Sequence, residues 1–329
     1  MPRLGVIGTM VWDRIYARDV RAEPVEEWGG ITYALAALAA LRPHGWEVVP
    51  MVKVGRDLEP QARRFLDALP GLDPRPGVRF VPEPNNRVEL RYQDQDRRCE
   101  RLTGGVPAWN WSELAPIVQR LDALYVNFIS GFELGLEAAT QLRLAFAGPI
   151  YADLHSLLLG VAPGGMRVPQ PLAAWKEWLR CFDVVQVNED ELALLAHFWG
   201  DPWVFAAEVV GQDLRVLLVT LGPRGAAYVA SPAFQPDPCA WRSSGLAASR
   251  PLGAPGPATS ECIPLENGGP REGDPTGCGD VWGATCFARL LERASLEDAI
   301  RAANNAAGRN VEFRGASGLH HFLQGKITT

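Results

Sequence analysis

Short apolar runs that stop at glycine or a polar residue alternate along this chain with longer runs rich in alanine and leucine. Leu4-Gly5-Val6-Ile7-Gly8, Trp46 to Asp57, Leu124 to Ile129, Ile150 to His155, Phe182 to Val187 and Val216 to Leu221 have the first form. Such runs predict parallel strands buried on both faces. Ile31 to Leu41, Leu136 to Phe146 and Leu296 to Ala307 have the second form and predict helices. The alternation implies βαβ units, and hence an α/β fold on a mostly parallel sheet. Between Val78 and Leu102 the period changes to two: Val88, Leu90 and Tyr92 alternate with Glu89, Arg91 and Gln93, which predicts a strand with one buried face. Ser231 to Gly273 is rich in Pro, Gly, Ser and Ala, has little periodicity, and reads as a long irregular connection.

Composition narrows the classes. At 329 residues and 47% hydrophobic, the chain can bury a large core. A net charge of −6 with scattered Lys and Arg gives no basic field for nucleic acid. No run approaches the ~18 apolar residues of a membrane span, and no basic segment leads into an apolar signal core, so a cytoplasmic protein is expected. The six cysteines, at 99, 181, 239, 262, 278 and 286, lack paired Cys-Xaa-Xaa-Cys spacing and read as reduced thiols. His155 has no second histidine or cysteine at ligand spacing, so no metal is assigned to it.

The chemistry concentrates near the C-terminal end. Gly273-Asp274-Pro275-Thr276-Gly277-Cys278-Gly279-Asp280 runs directly into the apolar-periodic Val281 to Leu291. Glycines that turn tightly into a helix N-terminus leave backbone amides without intrahelical partners, and the helix dipole favours an anion there. Asp280 adds a carboxylate at that point, suited to taking a proton from a hydroxyl while the amides hold a phosphoryl group. Neither a Gly-Xaa-Gly-Xaa-Xaa-Gly fingerprint nor a Gly-Xaa4-Gly-Lys-Ser/Thr loop occurs, which disfavours a dinucleotide dehydrogenase and a P-loop enzyme.

Asp274 to Asp280 resembles the Asp-Thr-Xaa-Gly-Ala-Gly-Asp signature of the ribokinase-like (PfkB) carbohydrate and nucleoside kinases, with Pro275 and Cys278 as departures. Four further landmarks follow that family's order: Gly8 to Asp13, Gly29-Gly30, Asn188 to Glu191, and Thr220 to Gly225. The resemblance runs from Gly8 to about Gly318. It implies one ribokinase-like three-layer α/β/α domain spanning 1–329, with a small β lid built from about 14–28 and 78–103. It implies a kinase that uses ATP and Mg²⁺ to phosphorylate a hydroxyl of a small sugar or polyol, with a homodimer formed through the lid.

Residue by residue, the resemblance makes Asp280 the general base and the Gly277, Cys278 and Gly279 amides the anion hole. Asp13, Gly29 and Gly30 would hold the acceptor; Asn188, Glu191, Thr220, Gly222 and Asn304 would serve the nucleotide, with Glu191 reaching Mg²⁺ through water. The loop from Gly315 to Gly318 lies near that family's monovalent-cation site, an ion not every member uses. Where the family often has Lys and Asn after the glycine pair, this chain has Ile31 and Ala34, which removes polar partners for sugar hydroxyls. Asp57 is expected to cap the helix after it, and Asn85-Asn86 either contact substrate or make a turn. Trp12, Trp28 and Tyr33 could wall a nucleobase, so a nucleoside kinase is the alternative within this class, and a non-catalytic sugar or nucleotide sensor is the alternative outside it.

Overall fold

The computed structural model describes residues 1–16, 23–92, 98–232, 234–241, 257–266, 271 and 273–327. The strands among these residues, in chain order, begin with β1 (Arg3–Ile7), β2 (Met10–Tyr16), β3 (Val25–Gly30), β4 (Glu47–Gly55) and β5 (Val78–Val81). Next come β6 (Arg87–Tyr92), β7 (Arg98–Thr103), β8 (Ala123–Asn127), β9 (Ile150–Asp153) and β10 (Leu159–Val161). The last are β11 (Arg167–Pro169), β12 (Val184–Asn188), β13 (Val216–Thr220), β14 (Ala226–Ala230) and β15 (Thr259–Ile263). The helices are α1 (Ile31–Leu41), α2 (Glu59–Asp67), α3 (Trp111–Val118), α4 (Leu136–Ala145) and α5 (Trp175–Leu179). They continue with α6 (Glu189–Leu195), α7 (Pro202–Val209), α8 (Cys278–Leu291), α9 (Leu296–Val311) and α10 (Leu319–Leu323).

The central sheet has nine described strands in the order β15-β14-β13-β12-β9-β8-β1-β4-β5. Pairing is parallel from β5 to β13 and antiparallel at β13–β14 and β14–β15. Successive residues of one strand enter opposite layers: Val48 and Val52 pack with α1, α2, α8, α9 and α10, while Val49 and Met51 pack with α3 to α7. Both faces are therefore covered, which is why the strands read as unbroken apolar runs. The architecture is the expected three-layer α/β/α arrangement.

A second sheet, in the order β3-β2-β6-β7, stands apart from the first. It contains the strands expected in the lid, of which residues 17–22 and 93–97 lie outside the described set. Val78–Val81 does not belong to it; that segment pairs with β4 at the edge of the main sheet. Asn85 joins the two sheets. It is fully buried, accepts from the Gly55 amide at 3.0 Å, and donates to the carbonyls of Met10 and Asn86. Asp57 accepts from the Asn85 amide and from Arg87, each at 2.9 Å, and α2 begins without a side-chain cap. Asp57 thus fastens the junction of the two sheets where a helix cap is expected, and the Asn85 amide is spent on this turn.

The 231–273 connection also holds more structure than its composition suggests. Thr259–Ile263 is the edge strand β15, while 242–256, 267–270 and 272 lie outside the described residues. The antiparallel hairpin β10–β11 has no counterpart among the predicted elements.

Candidate active site

α8 begins at Cys278, with Gly277 as its N-cap at φ 75° and no side-chain cap. A β-carbon at Gly277 would lie 2.2 Å from Cγ of Tyr33, so only glycine lets this loop rest on the Tyr33 ring. The Thr276 amide donates to Asp274 Oδ1 at 2.9 Å and the Cys278 amide to Pro275 O at 3.1 Å, which closes the turn internally. The Gly277 and Gly279 amides have no such partner among the described residues, and Gly279 is exposed. Cys278 is therefore not a third donor: its amide is committed within the loop.

Side chains from the sheet and from α9 pin this turn. Gln186 Nε2 donates to Gly279 O at 3.1 Å and to Asp153 Oδ2 at 3.0 Å, and Tyr151 Oη donates to Gln186 Oε1 at 2.7 Å. Asn310 Nδ2 donates to Thr276 O at 2.9 Å. Asn127, the last residue of β8, donates from Nδ2 to Asp280 Oδ1 at 2.7 Å. Its own Oδ1 is buried without a partner among the described residues, an omission that costs about 1–3 kcal/mol of stability.

Asp13 lies in β2, opposite Glu27 of β3, and is 6% exposed. Its carboxylate lies against Gly29, where a β-carbon would come within 1.8 Å of Oδ2. Burial, followed by the charges of Glu27, Asp13, Asp274 and Asp280, raises the Tyr33 hydroxyl well above its ordinary value, so Tyr33 stays neutral. All four carboxylates thus share one neighbourhood around a side chain that is 1% exposed. Trp28 is buried beside it with Trp12 edge-on at 5.0 Å, so two of the three aromatics expected to wall a base belong to the core.

On the other side, Asn188 and Thr220 pair in register at the ends of β12 and β13. Asn188 caps α6: its side chain accepts from the Glu191 amide at 2.9 Å, and Glu191 Oε2 accepts from the Asn188 amide at 2.8 Å. Glu191 Oε1 meets His155 Nδ1 at 2.9 Å. Burial depresses the imidazole, but the hydrogen bond and charge of Glu191, with Asp153 behind it, outweigh that and raise it to about 10, so His155 carries a positive charge at neutral pH. Burial, then Glu191, pushes the Asp153 carboxyl well above the usual range, and Asp280 adds to the rise. His155 stands alone in the sequence; its partner is 36 residues away, and the adjacency of β9 and β12 brings the pair together.

Among the described residues, no three His, Cys, Asp or Glu side chains converge as a direct metal cage. Glu191 and Asp153 would hold a hydrated Mg²⁺ only through its waters, and the ion's charge would draw Asp153 back to its ionised form. Gly222 is exposed beyond the end of β13, with φ 56°. Asn304, expected at the nucleotide, is 5% exposed and committed: Trp282 Nε1 donates to its Oδ1 at 2.8 Å, and its Nδ2 donates to Ile263 O and Pro264 O. It ties α8, α9 and β15 together, with both amide hydrogens engaged by backbone carbonyls. Cys278 Sγ donates to Ala307 O, and burial pushes the thiol up to about 11, against the helix dipole.

No family model and no curated protein matches the chain. Solved structures do. A pyrophosphate-dependent kinase in the ribokinase family, complexed with a pyrophosphate analogue and myo-inositol, matches with a TM-score of 0.71 at 16% identity over 99% of this chain and 100% of that one. Ribokinase from Thermotoga maritima matches with a TM-score of 0.70 at 15% identity, over 99% of both chains. The Burkholderia thailandensis nucleoside kinase bound to inosine matches with a TM-score of 0.68 at 17% identity, over 97% and 93%. Three layers, the nine-stranded sheet and the detached small sheet all take part in matches this complete, and the chain therefore has the ribokinase-like fold.

Proposed function

We propose that this protein is a kinase that transfers the γ-phosphoryl group of ATP to a hydroxyl of a small sugar or polyol. The observation that carries this is Asp280, a half-buried carboxylate in the first turn of a helix whose N-terminus no side chain caps. In the reaction Asp280 takes the hydroxyl proton as the acceptor oxygen bonds to phosphorus and the bond to the leaving diphosphate breaks. The Gly277 and Gly279 amides stabilise charge on the transferring group, with Cys278 as a small residue that fits the turn. Asp13, backed by Gly29 and Gly30, accepts from the acceptor's other hydroxyls. Asn188, Glu191, Thr220 and Gly222 lie towards the donor, and Asn304 frames that wall from behind. Hydrated Mg²⁺ at Glu191 and Asp153 would supply charge neutralisation on the donor phosphates. A homodimer through the small sheet belongs to the same proposal.

Support for a polyol over a nucleoside comes from the aromatics, since Trp28 and Tyr33 are core residues. The deciding experiment is a donor-consumption screen, with ATP and pyrophosphate each offered sugars, sugar acids, polyols and nucleosides. Turnover on polyols or sugars with ATP is expected, and Asp280→Asn should lower it about 10³-fold while nucleotide binding persists. Turnover on nucleosides alone replaces the acceptor, pyrophosphate preference replaces the donor, and binding without any turnover makes the protein a sensor.

A further inference from the structure

Asn127 is buried completely, yet among the described residues the one short hydrogen bond of its side chain is the 2.7 Å donation to Asp280 Oδ1. A second contact, to Tyr125 Oη, is long at 3.4 Å. Its Oδ1 atom is buried and unpartnered among the described residues. An orphaned acceptor in the interior lowers stability, and a leucine at the end of β8 would avoid that cost. Packing of the interior therefore does not call for an asparagine here, and what the residue offers is its bond to Asp280.

Nor does the backbone of α8 need it. Gln186 holds Gly279 O, Asn310 holds Thr276 O, and the Tyr33 ring supports Gly277. With the main chain fixed by these three, what Asn127 adds is a donor to one particular carboxylate oxygen. The bond has the length of a charge-assisted hydrogen bond and crosses from the rigid sheet to the helix. Holding Oδ1 sets the rotation of the carboxylate, and with it the direction from which a hydroxyl proton can be received.

We propose that Asn127 is a positioning residue for phosphoryl transfer, retained at the expense of stability because its amide fixes the carboxylate of Asp280. This rests on Asp280 being the base. Rotating a base away from its proton leaves substrate binding intact, so the loss falls on kcat and not on KM. No signal in the sequence marks Asn127, because the bond spans 153 positions.

The test uses Asn127→Leu, close in volume and apolar, and Asn127→Asp, equal in shape but without the donor. Asn127→Leu is expected to melt at or above the wild-type temperature, with kcat lowered about 30- to 100-fold and both KM values within about threefold. Asn127→Asp should lose at least as much kcat. In the Asp280→Asn background, Asn127→Leu should lower kcat no further. A kcat within about threefold of wild type in both variants overturns the proposal, and so does failure of both to fold, which would make Asn127 a structural residue. If wild-type protein phosphorylates no acceptor, the kinase reading fails by itself. The melting comparison then still decides: a lower melting temperature for Asn127→Leu overturns the stability cost on which the positioning role depends.

Discussion

The N-termini of α6 and α8 both lie by the carboxyl ends of the central strands, close enough for Gln186, three residues before one, to bond Gly279 in the other. They begin in opposite ways. α6 opens with Asn188 and Glu191 in a reciprocal capping box, so its own side chains satisfy the amides of Asn188 and Glu191. α8 opens with a glycine in the left-handed region and no side-chain cap, which leaves the Gly277 and Gly279 amides for something outside the helix. A capping box occupies amides at a helix start, whereas a helix left uncapped over a pinned glycine turn leaves amides suited to an anion. On the proposed reading α8 would hold the phosphoryl group, and α6 would contribute a charged rim through Glu191 and His155.

The comparison breaks most visibly at Gly277. An alanine there meets the Tyr33 ring at 2.2 Å and must hold a φ of 75°, a left-handed conformation that alone costs about 1–2 kcal/mol. Gly277→Ala is expected to lower kcat at least about 100-fold, because a displacement near 1 Å at the reacting centre has effects of that order. It should also lower the melting temperature measurably. Gly277→Ala with Tyr33→Ala removes the collision but not the backbone strain, so it should regain stability before it regains rate. Near-wild-type turnover by Gly277→Ala alone would mean that phosphoryl transfer occurs elsewhere.

Much of this contrast was legible in the chain. The Ile31 to Leu41 helix and the β1 strand follow from local pattern, and Gly277-Cys278-Gly279-Asp280 announces a glycine turn into a helix. Both are encoded by neighbours in sequence. Tertiary partners were not legible: His155 with Glu191, Asn127 with Asp280, and Tyr33 beneath Gly277 each depend on which strands and helices become adjacent. The partners of Asn304 were hidden for the same reason, since its position along α9 is readable but the side that Trp282 and Ile263 occupy is not. β15 hid inside a Pro- and Gly-rich stretch because an exposed edge strand needs little apolar patterning.

At α6 the expected effect is smaller and of another kind. Asn188→Ala removes one half of the capping box, which should cost about 1 kcal/mol of stability in denaturant unfolding. Glu191 keeps both of its carboxylate partners, the Asn188 backbone amide and His155, so kcat should fall by less than about tenfold. A variant as stable as wild type but far slower would reverse the assignment. Asn188 would then act on the donor directly, and the distinction between a self-capped helix and a site would fail at this position.

The smallest effect is expected at Cys278, where the two tendencies of α8 oppose each other. The N-terminal field and the Asn310 amide favour a thiolate, whereas burial, reinforced by Asp274 and Asp280, favours the thiol and prevails, leaving the group at about 11. Because the thiolate is the reactive form, alkylation of Cys278 followed by peptide mass spectrometry should be slow at pH 8. It should rise about tenfold per pH unit towards 11. Cys278→Ala, which keeps a small side chain in the turn, should leave kcat within about twofold. A labelling rate that levels off below about pH 9 would mean that the field at this helix end outweighs the cost of burial. The thiolate itself would then be the anion α8 is built to hold, in competition with the phosphoryl group.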